Sequence, residues 1–267
     1  MPTTPRRSVI PYAVPLFLAF TALLCALVWL LGGYPLGRDR PTPYTTSEGT
    51  VLPSGGEGTT PPITCVVIDA GHGGEDGGTS SAAGLVEKEV NLSVAFALRD
   101  MMEAAGIPVV MTRTEDKLLY DRNVDFQGRK KVLDLAARRI MAEQTAERCG
   151  GNSLFISIHM NAFPQPQYSG MQVWYGTGDP RSAVIAEAIQ NASAALMPHN
   201  SRKIKAAGSN IYLLDRIETP AVLVECGFLS NPDEAQRLSE EAYRRAVAAV
   251  IFCGLSPYLC AMGEWGS

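Results

Sequence analysis

Residues 64–78 read T-C-V-V-I-D-A-G-H-G-G-E-D-G-G, a β-branched apolar run that ends in an acid and then in a glycine-rich turn holding a histidine. The run Cys65 to Asp69 is too short for a helix and lacks polar alternation, so it reads as a strand covered on both faces. Two later stretches repeat the pattern. One is L-F-I-S-I, from Leu154 to Ile158, which runs on into His159, Met160 and Asn161; the other is A-V-L-V from Ala221 to Val224, followed by Glu225. Pro108 to Met111, Met171 to Tyr175 and Ile211 to Leu214 bring the expected strands to six. Between them, Val90, Val94, Ala97, Leu98 and Met101 recur at helical spacing, as do Ile185, Ala188, Ile189 and Leu196, and then Tyr243, Val247, Val250 and Ile251. The expected fold is α/β: a three-layer sandwich with a mostly parallel six-stranded sheet covered by helices on both faces. In such sheets the functional groups collect at the carboxyl ends of the strands.

The 267 residues are 46% hydrophobic and 19% charged, a globular balance that excludes a collagen-like or wholly disordered chain. Residues 8–33 carry no charge and are long enough to cross a bilayer core of about 30 Å. With Arg6 and Arg7 before it and no small-residue cleavage site after it, this stretch reads as an uncleaved membrane anchor, with a cleaved signal segment as the alternative. The expected organisation is an anchor or signal segment over 1–33, a flexible Pro/Gly/Ser/Thr-rich stem over 34–62, a catalytic or binding domain over 63–262 and a tail over 263–267. The domain is then extracytoplasmic, tied to the membrane through the N-terminal segment or secreted if that segment is cleaved. Four arginines and one acid fall in residues 1–40, which leaves a net charge of −7 on the rest. That balance lacks the basic footprint of a nucleic-acid-binding domain. Arg129-Lys130-Lys131 and Arg138-Arg139 read as solvated helix faces. The cysteines beyond the apolar run, at 65, 149, 226, 253 and 260, are odd in number and lack C-x-x-C spacing, so they read as buried free thiols rather than a disulfide framework.

Only three histidines occur in the chain, and two of them, His72 and His159, follow strands of the central pattern. Two imidazoles at neighbouring strand ends suit a Zn²⁺ ion, whose third ligand here has to be an acid. Spacing leaves Glu75, Asp76, Glu87 and Glu89 open for that role, and Glu87 and Glu89 also suit the positive end of a helix. A dinucleotide fingerprint is a poor reading of Gly71 to Asp76, because Asp76 stands where the third glycine is required. The glycines are expected to let substrate backbone approach a metal closely. Glu225 interrupts an apolar stretch, where a carboxylate needs a partner or a task; a general base near a metal is that task. Asp69 and Asn161 flank the histidines, in position to orient them or to cap their strands. His199, Arg202, Lys203 and Lys205 read as a solvated loop, with the basic residues able to meet peptide carboxylates. Tyr168 and Trp174 read as packing or as a sugar-stacking surface.

Taken together and in order, V-V-I-D-A-G-H-G-G-E-D-G-G, G-L-V-E-K-E-V-N-L, S-L-F-I-S-I-H-M-N-A and A-V-L-V-E-C-G-F-L-S-N resemble the zinc-dependent N-acetylmuramoyl-L-alanine amidases of the type 3 catalytic domain. The resemblance implies one Zn²⁺ per domain, with His72, Glu87 and His159 as ligands and Glu225 as the catalytic carboxylate. It implies hydrolysis of the amide between N-acetylmuramic acid and L-alanine, with peptidoglycan glycan strands and their stem peptides as substrate. Ala70, where many members have Pro, and Cys226, after the catalytic Glu, depart from the usual pattern without removing a functional group. The blocks R-K-K-V-L-D-L-A-A-R-R, S-G-M-Q-V-W-Y and N-I-Y-L-L are most similar to the germination-specific subgroup of spore-formers, which implies spore-cortex maturation through muramic-δ-lactam formation. The stretch from Tyr175 to Ile211 is too short for the inhibitory helix of some cell-division amidases, so control is expected from a regulatory protein partner, expression timing or substrate form. A non-catalytic peptidoglycan-binding scaffold and a zinc peptidase acting on stem peptides are the alternatives.

Overall fold

The computed structural model describes residues 61–120 and 128–260. The expected membrane segment, the tail and all of the stem except its last two residues lie outside these. No helix among the described residues is long and apolar enough to cross a membrane.

The chain runs β1 (Cys65–Ala70), α1 (Glu87–Ala104), β2 (Val109–Met111), α2 (Lys130–Arg148), β3 (Ser153–Asn161), β4 (Gln172–Tyr175), α3 (Arg181–Ala192), β5 (Lys205–Ala206), α4 (Tyr212–Arg216), β6 (Ala221–Phe228), α5 (Pro232–Ser239) and α6 (Glu241–Leu255). The six strands form one sheet in the order β2-β1-β3-β6-β4-β5. β2, β1, β3 and β6 run parallel; β4 is antiparallel to β6 and carries β5 parallel beside it. The mostly parallel α/β architecture expected from the apolar runs is therefore the one observed.

Alternation along the central strands sorts their side chains into two cores. Val66, Ile68, Leu154, Ile156, Ile158, Val222 and Val224 face α1, α3 and α6, whereas Val67, Phe155 and Ala221 face α2 and α4. A strand buried on both faces has no position where a polar residue is free, which is why β1, β3 and β6 read as nearly continuous apolar runs, and why Ser157 within β3 is tied to Asp69. Asn231 caps α5 by accepting from Glu234 N at 3.0 Å, and Pro232 follows at the first helical position, where its missing N–H costs nothing.

Three expectations are corrected. Ile211 to Leu214 is not a strand: Tyr212–Arg216 forms the short helix α4, which puts Leu213 and Leu214 into the second core. The sixth strand is Lys205–Ala206, two exposed edge residues with no apolar signature. Cys65 and Cys149 form a disulfide that ties the start of β1 to the residue after α2. Arg138 is not on a solvated helix face, for it is 1% exposed and paired with two acids.

Candidate metal centre

The sheet order makes β1, β3 and β6 adjacent, so their carboxyl ends open onto one place. β1 delivers the loop from Gly71 to Val86, β3 delivers His159 and β6 delivers Glu225. The loop returns to open α1 with Glu87, the residue the positive end of the helix favours as an acid. Glu87 N donates to Thr79 O at 2.9 Å and Lys88 N to Gly77 O at 3.2 Å, so the loop is laced to the helix start.

His72, Glu87 and His159 meet there, each offering one ligand atom within 4.8 Å of the others. Glu87 Oε1 lies 3.2 Å from His72 Nε2 and 3.0 Å from His159 Nδ1. It also accepts from Met160 N at 3.1 Å, while Glu87 Oε2 accepts from Thr79 N at 2.8 Å. The two imidazoles stand edge to face, 4.9 Å between centroids. A tetrahedral ion with bonds of about 2.0–2.1 Å has ligand-to-ligand edges of roughly 3.3 Å, so two nitrogens and a carboxylate at these separations fit a zinc-like cation. Burial opposes the charge on Glu87, but the imidazoles of His159 and His72 outweigh it and hold the carboxyl well below its ordinary range. Burial likewise opposes protonation of His72, and Glu87 and Asp76 overcome it, so this imidazole holds a proton more tightly than usual. A divalent cation binding to such a set would displace the proton it shares.

Two of the glycines make room for the site's own side chains. A Cβ on Gly71 would overlap the His159 imidazole, and one on Gly78, at φ +69°, would overlap the Glu87 carboxylate. His72 itself has φ +62°, a left-handed conformation uncommon outside glycine.

Glu225 stands in register with His159 across the β3–β6 pair. The residue is half-buried, but its Oε2 is buried and, among the described residues, has no hydrogen-bond partner. Burial, reinforced by Glu87 and opposed by the two histidines, pushes its carboxyl up to about 7. The neighbouring Cys226 thiol is buried at 3.6 Å from Val224 O, and burial raises its pKa well above the ordinary thiol value.

Of the other acids left open by spacing, Asp76 Oδ1 lies 3.0 Å from His72 Nδ1, although that nitrogen makes no well-formed hydrogen bond. Glu75 pairs with Lys130, and Glu89 is exposed on α1. Asp69 does not reach the cluster. It accepts from Arg138 Nη1 and Ser157 Oγ at 2.6 Å and from Thr112 Oγ1 at 2.7 Å. Burial works against its charge, yet Arg138 and the two hydroxyls hold the carboxyl below its ordinary value. Asn161 Oδ1 accepts from Ala162 N at the strand end, a capping contact. His199 is exposed, Arg202 lies 4.3 Å above the Phe228 ring, and Lys205 lies 5.1 Å from the Trp174 ring. Tyr168 packs against Phe163, and Lys203 O accepts from Gln172 Nε2.

Two arginines brace the first turn: Arg113, which sequence reasoning passed over, and Arg138, which it placed on a solvated helix face. Arg138 Nη1 donates to Ala70 O at 2.9 Å and Nη2 to His72 O at 2.7 Å; Arg113 donates to Ala70 O and Gly71 O at 2.8 and 3.0 Å. The available signal was Asp134, Arg138 and Ala142 at i, i+4 and i+8, which places Arg138 on the inward stripe of α2. A cleft of about 200 Å³ opens beside the two histidines, with Asp76, Lys131, Asn210 and Tyr212 on its walls.

The family profile for N-acetylmuramoyl-L-alanine amidase matches residues 66–256. The germination-specific N-acetylmuramoyl-L-alanine amidase of Bacillus subtilis (strain 168) is 36% identical over 200 residues, 74% of this chain and 81% of that protein. The CwlD amidase of Clostridioides difficile, solved in complex with the GerS lipoprotein, superposes with a TM-score of 0.67 at 33% identity, covering 73% of this chain and 98% of that one. The amidase AmiC2 of Nostoc punctiforme superposes at 0.59 and 28% identity, covering 74% and 98%.

Proposed function

The chain belongs to the N-acetylmuramoyl-L-alanine amidase family, and from that premise we propose that it is a zinc-dependent enzyme in which His72, Glu87 and His159 hold the metal and Glu225 moves the proton. The observation that carries this reading is the convergence of two imidazoles and a carboxylate beside a buried, partnerless glutamate oxygen. The reaction is hydrolysis of the amide joining the lactyl carbonyl of N-acetylmuramic acid to the nitrogen of L-alanine in peptidoglycan.

A zinc held by His72, Glu87 and His159 would supply Lewis acidity, polarising the scissile carbonyl and making water more acidic, toward a pKa of about 7. The rest falls to the chain. Glu225, next to His159, takes a proton from the attacking water on its unpartnered Oε2 and returns it to the leaving amine. Its largely buried setting, which raises the carboxyl's affinity for a proton, suits a group that holds that proton between the two transfers. Met160 N and Thr79 N anchor the two oxygens of Glu87 and fix its orientation.

The setting we propose is extracytoplasmic: an anchor or signal segment over 1–33, a stem over 34–62, the catalytic domain over 63–262 and a short tail. The Cys65–Cys149 disulfide supports an oxidising compartment. Likeness to the Bacillus germination-specific amidase supports spore-cortex maturation with muramic-δ-lactam formation as the role. The solved complex of the similar Clostridioides difficile amidase with a lipoprotein supports control by a protein partner.

The test is incubation of the full-length protein with purified peptidoglycan, with and without a chelator, and mass spectrometry of the products. Chelator-sensitive release of peptides beginning at L-alanine is expected. Shortened peptides would make the enzyme a stem-peptide peptidase, and no release by the zinc-loaded protein would favour a scaffold.

A further inference from the structure

Arg113 is 2% exposed, and among the described residues no carboxylate pairs with it; its donors go to backbone carbonyls instead. Nε donates to Ala70 O at 2.8 Å and Nη1 to Glu115 O at 3.1 Å. Nη2 donates both to Gly71 O at 3.0 Å and to Lys88 O at 2.7 Å. A cation taken out of water without a counter-ion is expensive unless dipoles replace its hydration, and four inward-pointing carbonyls do so here. Arg138, the neighbouring buried guanidinium, differs in being neutralised by Asp69 and Asp134.

The two carbonyls that share Nη2 belong to the residue before His72 and the residue after Glu87. One nitrogen therefore joins the two segments that carry those side chains. The segment before Glu87 is a loop with His72 at φ +62°, a conformation that persists only where its surroundings over-determine it. Arg138 Nη2 on His72 O and Asn91 Nδ2 on Gly71 O, at 2.7 and 3.1 Å, complete the hold on that turn. A lysine at 113 keeps the charge but has no fork with which to reach Ala70, Gly71, Lys88 and Glu115 together.

We infer that Arg113 is a positioning residue for the metal centre, a staple that sets the separation of His72 and Glu87 before any metal binds. The inference rests on the reading of His72, Glu87 and His159 as zinc ligands. It assigns part of the zinc affinity to a side chain that touches neither metal nor substrate.

The experiment is a zinc titration of the full-length protein and of Arg113→Lys against a chromophoric chelator, with thermal unfolding of both metal-free forms. The expected result is zinc affinity about 10–100-fold weaker in Arg113→Lys, with turnover recovered at saturating zinc and KM unchanged. A merely structural role would lower the melting temperature of the metal-free form and leave zinc affinity alone, so affinity within twofold of wild type overturns the inference. Should Arg113→Lys fail to fold, amide hydrogen exchange of the wild-type protein decides. The amides of Gly73, Glu87 and Lys88, each bonded within the loop and helix start, are expected to be protected to within about tenfold with and without zinc. Protection that arises only with zinc overturns the inference. Wild-type protein that takes up no zinc would remove the ligand reading and this inference with it, whereas normal uptake by both forms removes this inference alone.

Discussion

Glu225 sits directly across the parallel β3–β6 ladder from His159, with Oε2 buried and accepting from no group among the described residues. On the proposed reading, a carboxylate in that place, beside the His72–Glu87–His159 cluster but outside it, serves to carry a proton and not as a ligand. Glu225→Gln keeps the volume and removes the basic oxygen. The variant is expected to retain one zinc per protein and to lose turnover by about 10²–10⁴-fold. Elemental analysis and a peptidoglycan-release assay on the same sample check this, and full activity would take Glu225 out of the mechanism.

Gly71 lies beneath the His159 ring, so close that a Cβ would overlap it. Gly71→Ala changes no ligand atom and removes none of the backbone carbonyls that Arg113 and Arg138 bond. The added methyl has to displace the imidazole it would overlap, and the expected outcome is a zinc affinity at least about tenfold weaker, with activity falling in parallel at limiting metal. His159→Ala removes the nitrogen itself and should abolish stoichiometric zinc. Normal zinc content in both variants would show that His159 is not a ligand.

Asp69 and Arg138 form a pair buried on both sides, 2.6 Å apart. The folded-state carboxyl is held below its ordinary value, so its contribution to stability is fully present above the unfolded pKa of about 3.9 and is lost as pH falls through the lower folded value. Urea unfolding between pH 6 and pH 2 should show stability dropping across the acid limb. Asp69→Asn strands Arg138 with only Asp134 and should cost about 3–5 kcal/mol at neutral pH, with a shallower acid slope. An unchanged slope would mean that other acids govern the acid limb.

What the sequence revealed depended on how each element meets solvent. β1, β3 and β6 are central strands, buried on both faces, and their nearly continuous apolar runs located the carboxyl ends where His72, His159 and Glu225 stand. β5 left no trace because an exposed two-residue edge strand needs no apolar residues. Ile211 to Leu214 misled because four apolar residues have no measurable period, and only the short helix α4 points both Leu213 and Leu214 inward. Glu87 could not be picked from among four acids by spacing, and the family resemblance singled it out. The physical reason becomes visible only in three dimensions: the loop folds back so that the first residue of α1, and not Glu75 or Glu89, lies between the histidines. Arg113 and Arg138 were hidden for the opposite reason, since charged side chains are buried only where carbonyls and acids from distant segments receive them.

The cysteines were read as thiols because pairing is a property of distance, and residues 65 and 149 are 84 positions apart in sequence yet 6.5 Å apart at Cα. The bond closes a loop that contains α1, β2 and α2, so in the oxidised protein it restricts the unfolded chain more than the folded one. Reduction, or paired Cys65→Ser and Cys149→Ser, is expected to lower stability by about 2–5 kcal/mol. Both sulfurs lie at the opposite end of β1 from His72, the strand running from Cys65 to Ala70, so zinc affinity should be unchanged at temperatures where the variant stays folded. Thiol titration in denaturant should count two more thiols after reduction than before, and thermal unfolding should show the lower midpoint. Equal thiol counts would mean that no bond forms; a lower midpoint together with lost zinc would mean that the strain of removing the bond reaches through β1 to the His72 turn.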